Sequence, residues 1–464
     1  MDDIQKTGER LPLIDIARKL VSGSILRVLN LMAQLAVSMV MMPFVVGSLG
    51  DRMYGFWALA WSIIGYYGLL DIGIGAGVIR HLANAMGIKD YVQCNRIISN
   101  ALALFSGVAG LVVCISTVIG LLASFFVKTP EDADLFRNVI MVLGFNVAIE
   151  FPARVFAGIL TAQLRYDIMS VLKLATLILR TAGIVIVLSN GHGVLALSIV
   201  TVVAGLPEKS AHFYLAKQGF PQIDISTAYL SGKMVRMLYG YGIYAFFVQI
   251  GDILRFNIDS IVIASFLNLA AVTHYGIAST LIKHFLNLIG TVMGVLLPVF
   301  SHLDAENDRI RMKKVFFLST KISICIASFV SFGLIVWGRF FIERWMGPGY
   351  LDAYPCLVIL VVGITAGLWQ SASVSILFGI SKHKFYAVAN GAEAAANLAL
   401  SLLLVRWYGI IGVAIGTMVP MLVIKLFVQP IYVCRATSIP VKEYIFEMGL
   451  TLSIVFLSLI IPGV

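Results

Sequence analysis

YGYGIYAFFVQIGDILRFNIDS, residues 239–260, decides how the rest of the chain is read. It lies inside an apolar run of membrane-spanning length, yet it carries Gln249, Asp252, Arg255 and Asp259. At about 100° per residue these four fall on one helical face, and Tyr241 continues that face. Charges inside a membrane helix cost several kcal/mol each, so they look into a protein interior or a water-filled cavity. The stretch is therefore expected to form a lipid-embedded helix with a wet side.

Composition extends that reading to the whole chain. Hydrophobic residues make up 59% of the 464 and charged ones 12%, with a mean hydropathy of +0.94; a soluble domain carries about 25% charged residues. Thirteen stretches reach the roughly 20 residues that a spanning helix needs: 21–46, 54–79, 98–126, 136–158, 168–188, 194–214, 238–265, 272–297, 315–337, 354–378, 385–405, 410–432 and 445–462. They predict an all-α polytopic membrane protein.

Lys and Arg set the orientation. With the N-terminus inside, the cytoplasmic connections hold 21 of the 34 and the outer ones 6, and the rest are read as lying within spans: Arg27, Lys173, Arg180, Arg255, Lys283, Lys321 and Lys425. The net charge of +10 then describes a cytoplasmic rim facing anionic headgroups, with no call for nucleic acid. Cys94, Cys114, Cys325, Cys356 and Cys434 are odd in number and lack CxxC spacing, which suggests neither a disulfide framework nor a metal site.

Residues 1–20 mix acids and bases without an apolar core and cleavage site, so they read as a cytoplasmic or interfacial segment and not as a signal peptide. Span 1 carries Arg27, Asn30, Gln34 and Ser38 at steps of 3, 4 and 4, a second polar stripe. Its bland reading is that Asn30 and Gln34 bond between helices while Arg27 snorkels to the headgroups. After it, GSLGDRMYG matches a major-facilitator loop pattern, but on the opposite side and between different spans, so it carries no weight.

Repetition between the halves is more informative. Tyr54-Gly55 opens span 2 and Tyr275-Gly276 opens span 8; Gly193-Val194 opens span 6 and Gly412-Val413 opens span 12. The two offsets nearly agree, which predicts two similar six-helix lobes with the striped spans 1 and 7 in equivalent places. The expected layout is a segment at 1–20, an N-lobe at 21–217, a linker at 218–237, a C-lobe at 238–432, and a loop with an additional span 13 at 433–464.

Tyr54-Gly55 with LLDIGIGAGVIR (Asp71, Gly73, Gly75, Arg80), GILTAQLRYD at 158–167, Asp259 followed by Tyr275-Gly276, LPVFSHL at 297–303, ERWMGPGY (Trp345, Gly347, Tyr350) and NLALSLLLVRWYGIIGVAIGT at 397–417 stand in an order that resembles bacterial polysaccharide flippases of the Wzx type. These belong to the multidrug/oligosaccharidyl-lipid/polysaccharide exporter superfamily. The resemblance implies a V-shaped, MATE-like pair of bundles in the bacterial inner membrane. It also implies translocation of polyprenyl-diphosphate-linked oligosaccharide units to the outer leaflet, with membrane lipids, a polysaccharide polymerase and glycosyltransferases as partners.

Such a cargo can be tested against the residues. A diphosphate at membrane depth needs cations, and Arg suits phosphate because its planar fork binds two oxygens. The candidates are Arg27, Arg180, Arg255 and Lys283. Tyr241, Gln249, Asn30 and Gln34 offer aromatic and neutral hydrogen-bonding groups for sugars. Each cation has a structural alternative: Arg255 can pair with Asp252 and Asp259 on its own helix, Arg180 with Glu150 or another acid, and Lys283 can snorkel. Lys173, Lys321 and Lys425 read as interfacial.

Asp252 and Asp259 lead the acids that would couple transport to an ion, and Asp71, in a glycine-rich segment, follows. No G-x-x-x-x-G-K-[ST] stretch is present, so a proton or sodium gradient, or downstream removal of the substrate, is the expected drive, and no cofactor is called for. FIERWMGPGYLDAYP at 341–355 is the largest outer segment and is too short for the catalytic loop of a glycan polymerase, so an enzyme is not expected. A multidrug/cation antiporter of the same superfamily and a peptidoglycan-precursor flippase remain as alternatives.

Overall fold

The computed structural model describes residues 13–127, 129–382 and 384–460, without the side chains of 13–25, 27, 240–245, 247–256 and 460. Fifteen α-helices follow one another: α1 (Leu13–Gly65), α2 (Ile74–Gly87), α3 (Tyr91–Leu121), α4 (Pro130–Ala162), α5 (Tyr166–Ser189), α6 (Val194–Gly219), α7 (Gly232–Phe266), α8 (Leu269–Gly294), α9 (Leu296–Ala305), α10 (Arg309–Met346), α11 (Ala353–Trp369), α12 (Ser371–Gly379), α13 (Lys384–Val423), α14 (Gln429–Thr437) and α15 (Val441–Ile460). Among the described residues there is no strand, so the all-α expectation holds. Nine helical stretches among them are long and apolar enough to cross a membrane, and Val28–Asp71 and Lys384–Thr437 each take in two expected spans. The two expected spans outside those nine fall on α7 and α15.

Both double spans turn at a glycine. Gly50 has φ 75° and Gly409 has φ 57°, left-handed values that a Cβ would strain. After the second turn, the two halves of α13 pack without intervening side chains. A Cβ on Gly412 would stand 2.4 Å from the Leu404 carbonyl oxygen, and one on Gly416 would stand 2.4 Å from Ser401 Oγ. Lipid offers no hydrophobic drive between helices, so such close approach and interhelical hydrogen bonds hold them together. Helix starts are fixed locally: Asp90, Asn268 and Asp308 each accept a hydrogen bond from the backbone N–H three residues on, capping α3, α8 and α10.

The described residues group into two compact units, one drawn from Met1–Leu49, Leu70–Ser124 and Lys128–Ile243, the other from Gly50–Leu69, Phe125–Val127 and Tyr244–Val464. In the first, α4 packs against α2, α3, α5 and α6, with the Phe105 and Phe151 rings 5.8 Å apart. In the second, α11 packs against α8, α10 and α13. Polarity is arranged for lipid: Ser198, Ser323, Gln370, Asn390 and Ser401 are fully buried, whereas Leu121, Phe125 and Trp407 are more than two-thirds exposed. The chain is a multi-pass membrane protein.

The additional helix α15 belongs to the second unit. Tyr444 is fully buried, stacks on Phe316 of α10 at 5.5 Å, and donates to Gln370 Oε1 at 3.1 Å. Gln370 itself separates α11 from α12, and the polar bonds around it fasten that break to α15.

Candidate functional site

A cavity of about 610 Å³ lies within the second unit, between α8, α11, α12 and α13. α8 contributes Lys283, Asn287, Gly290 and Gly294, which recur at steps of 4, 3 and 4 and so share one helical face. The two glycines leave open space where side chains would intrude. Ser371, Ser375 and Tyr386 add polar atoms from the facing helices, and two lysines, Lys283 and Lys425, stand on the lining.

The two lysines are held differently. Lys283 is exposed to the cavity. Lys425 is buried in a π-helical turn, Ile424–Val428, a local widening that often marks functional positions. Its ammonium lies 3.3 Å from Glu393 Oε2, donates to Asn390 Oδ1 at 2.9 Å, and sits 4.9 Å from the centre of the Tyr386 ring. The sequence reading had placed Lys425 at the interface. The structure corrects this, because its partners Glu393 and Asn390 come from the first half of α13 and compensate a charge taken out of water.

The same unit holds a buried carboxylate. Asp259 is only 3% exposed; Tyr275 donates to its Oδ2 at 2.5 Å, and Thr417 Oγ1 lies 3.1 Å from the same oxygen. Oδ1 has no hydrogen-bond partner among the described residues. Thr417 also approaches Asn397 Oδ1 at 3.4 Å and the Val413 carbonyl at 3.2 Å, and Ser401 donates to Asn397. The donor set is all oxygen, which suits a proton or a hard cation. No group of three or more His, Cys, Asp or Glu gathers as a metal site among the described residues.

Asp71 sits elsewhere, in the first unit. Its Oδ1 accepts from the Gly75 N–H at 2.8 Å at the start of α2, and its Oδ2 is 3.2 Å from Arg154, which also binds Glu150 at 2.9 Å. Glu150 thus serves Arg154, and the acid whose charge acts on Arg180 is Glu208. Asn30 donates to the Ser170 carbonyl at 2.7 Å, which fits interhelical bonding, while Gln34 is exposed. The side chains of Arg27, Tyr241, Gln249, Asp252 and Arg255 lie outside the described residues.

Sequence reasoning missed several functional-looking groups. Arg154 and Lys209 were counted with the cytoplasmic rim, yet Arg154 joins Asp71 and Lys209 donates to Asn146 at 2.8 Å. Lys313 pairs with Glu443 at 2.8 Å, and Lys321, read above as interfacial, pairs with Glu447 at 2.7 Å. The Lys283, Asn287, Gly290, Gly294 stripe was present in the sequence and would have located the cavity wall.

The family model described as polysaccharide biosynthesis protein matches residues 49–355, from the Gly50 turn to the start of α11. The chain belongs to that family. This polysaccharide biosynthesis protein is 22% identical over 430 residues to the uncharacterized membrane protein EpsK of Bacillus subtilis (strain 168), across 89% of this chain and 82% of EpsK. Its fold is similar to that of a multidrug resistance MATE family transporter of the MOP superfamily whose structure is in an inward-facing conformation, with TM-score 0.73 at 15% identity over 90% of this chain and 99% of that one. The lipid II flippase MurJ, in an inward closed conformation, is also similar, with TM-score 0.69 at 15% identity over 94% and 92% of the two chains. The MATE-like fold expected of the polysaccharide biosynthesis protein is therefore its fold.

Proposed function

We propose that the protein moves polyprenyl-diphosphate-linked oligosaccharide units from the inner to the outer leaflet of the bacterial cytoplasmic membrane, with its N-terminus in the cytoplasm. The observation that carries this reading is Lys283, exposed on the wall of a cavity between apolar helices, in a member of a polysaccharide biosynthesis family. An ammonium group suits a diphosphate, and the serines, Asn287 and Tyr386 suit sugar hydroxyls and ring faces. MurJ, named as a lipid II flippase, carries the same fold, which supports a lipid-linked cargo. Lys283 is the described residue best placed to meet the diphosphate; Arg27, Arg180 and Arg255 complete the proposed set, with Asn30, Gln34, Tyr241 and Gln249 for the glycan.

Asp259 is the proposed coupling carboxylate, taking up a proton or sodium ion, with Asp252 as a second candidate. Asp71, held by Arg154, is proposed as a structural acid. A polymerase and glycosyltransferases would work before and after the flipping step. Deleting the gene and comparing lipid-linked oligosaccharides with surface polysaccharide tests the reading. It predicts lost surface glycan with complete units trapped on the inner leaflet. Unchanged glycan together with sensitivity to cationic dyes would favour the drug antiporter, whose fold this chain also shares.

A further inference from the structure

A second cavity, of about 900 Å³, opens between α10, α12, α14 and α15. It is separate from the site above and shares no lining residue with it. Five cations border it: Arg309, Lys313, Lys314, Lys321 and Lys382, against Glu443 and Glu447. The acids are already engaged, Glu443 by Lys313 and Glu447 by Lys321, and Arg309 is paired with Asp304. Among the described residues Lys314 and Lys382 have no carboxylate partner, and Lys382 donates to the Ala436 carbonyl at 2.8 Å. Two positive charges are thus left uncompensated.

The same wall is apolar where α10 runs into the membrane. Ile310 and Leu318 line the cavity and are 73% and 60% exposed, with Phe317 between them on the same helix. The site lies where α10 and α15 begin and α14 ends, at one edge of the lipid-crossing part. Cations above an exposed aliphatic surface match a molecule with a phosphate head and a hydrocarbon body. A soluble anion would find the charge but leave the aliphatic groups unused.

We infer that this crevice binds a lipid-borne phosphate or diphosphate headgroup, held by Lys314 and Lys382, with the chain of the lipid lying along Ile310 and Leu318 of α10. The inference needs only that the protein sits in a bilayer and does not depend on its cargo. It gives α15 a role, since this helix supplies Glu443 and Glu447, which hold Lys313 and Lys321 in place and leave the other two lysines open.

The test uses the full-length purified protein in detergent, with retained lipid counted by native mass spectrometry. The added probes are phosphatidylglycerol, phosphatidylcholine, a polyprenyl phosphate and inorganic pyrophosphate. Phosphatidylglycerol or polyprenyl phosphate should bind and raise the thermal unfolding temperature, and the stronger of the two identifies the source of the headgroup. The Lys314→Gln/Lys382→Gln variant should bind about thirty-fold more weakly, at about 1 kcal/mol per cation near a headgroup, and Lys314→Gln alone about fivefold more weakly with its unfolding temperature without lipid unchanged. Lys314→Glu alone should weaken binding as well. Equal retention by variant and wild type would overturn the inference, as would phosphatidylcholine binding as tightly as phosphatidylglycerol, or pyrophosphate displacing the lipids at equal concentration.

Discussion

Tyr275 donates its phenolic hydrogen to Oδ2 of Asp259 at 2.5 Å, and the other carboxylate oxygen has no partner among the described residues. One oxygen is thus anchored by Tyr275 and Thr417 while the other is available. This arrangement holds a carboxylate in place and leaves a position for a proton or a cation. Asp259→Asn should leave the protein folded and abolish the dependence of transport on the ion gradient, with at least a tenfold loss of rate. Rates in proteoliposomes with sodium and proton gradients imposed separately check this and identify the ion.

Lys425 and Glu393 form a buried pair, each less than 5% exposed. Removing one partner strands the other charge, which costs about 3–5 kcal/mol. Lys425→Met and Glu393→Gln should therefore each lower the unfolding temperature markedly, and the double variant should recover most of the loss. A double-mutant cycle by thermal unfolding in detergent reads the coupling directly.

Asp71 caps α2 through Gly75 and pairs with Arg154. Asp71→Ala should cost about 1–2 kcal/mol of stability through the lost cap and ion pair and leave the ion dependence of transport intact. Unfolding curves and gradient-driven rates on the same variant separate these outcomes. A lost ion dependence at full stability would return Asp71 to the coupling acids.

Outside the membrane-spanning segments, burial together with the hydrogen bond and charge of Asp51 pushes the Tyr350 phenol up to about 12. Its ordinary value is about 10, so the folded protein keeps the proton where the unfolded chain loses it. The stabilisation is fully present below about pH 10 and fades as the pH rises towards 12. Tyr350→Phe should be less stable than wild type at pH 9, and the gap should close by pH 12. Paired unfolding measurements across that range check the sign.

The helical, membrane-crossing character of the fold was legible because lipid makes a strong demand, long apolar runs, whereas the turns at Gly50 and Gly409 were not foreseen. Span lengths located both ends of α5 and α8 to within three residues and those of α3, α4 and α6 to within seven, and NLALSLLLVRWYGIIGVAIGT contains the glycines that pack within α13. Side-chain partners were less legible. Lys425 lies in the middle of an apolar run, and nothing local shows that Glu393 and Asn390, about nine turns earlier in the same folded-back helix, come beside it. Arg154 looked like a rim residue because its distance from Asp71, 83 positions, is closed only by the packing of α2 on α4. Asp259 and Tyr275 were noted only for their order in the chain; their hydrogen bond forms across the short connection between α7 and α8.

The central claim is that this protein carries a lipid-linked diphosphate glycan across the membrane. The direct measurement reconstitutes the purified chain in liposomes with a labelled polyprenyl-diphosphate oligosaccharide and follows how much of it becomes accessible to an impermeant reagent on the opposite face. The account predicts transfer that needs the protein and an ion gradient, falls in Lys283→Ala, and is lost in Asp259→Asn. Transfer no faster than in protein-free liposomes, with active efflux of a cationic dye from the same preparation, would contradict it.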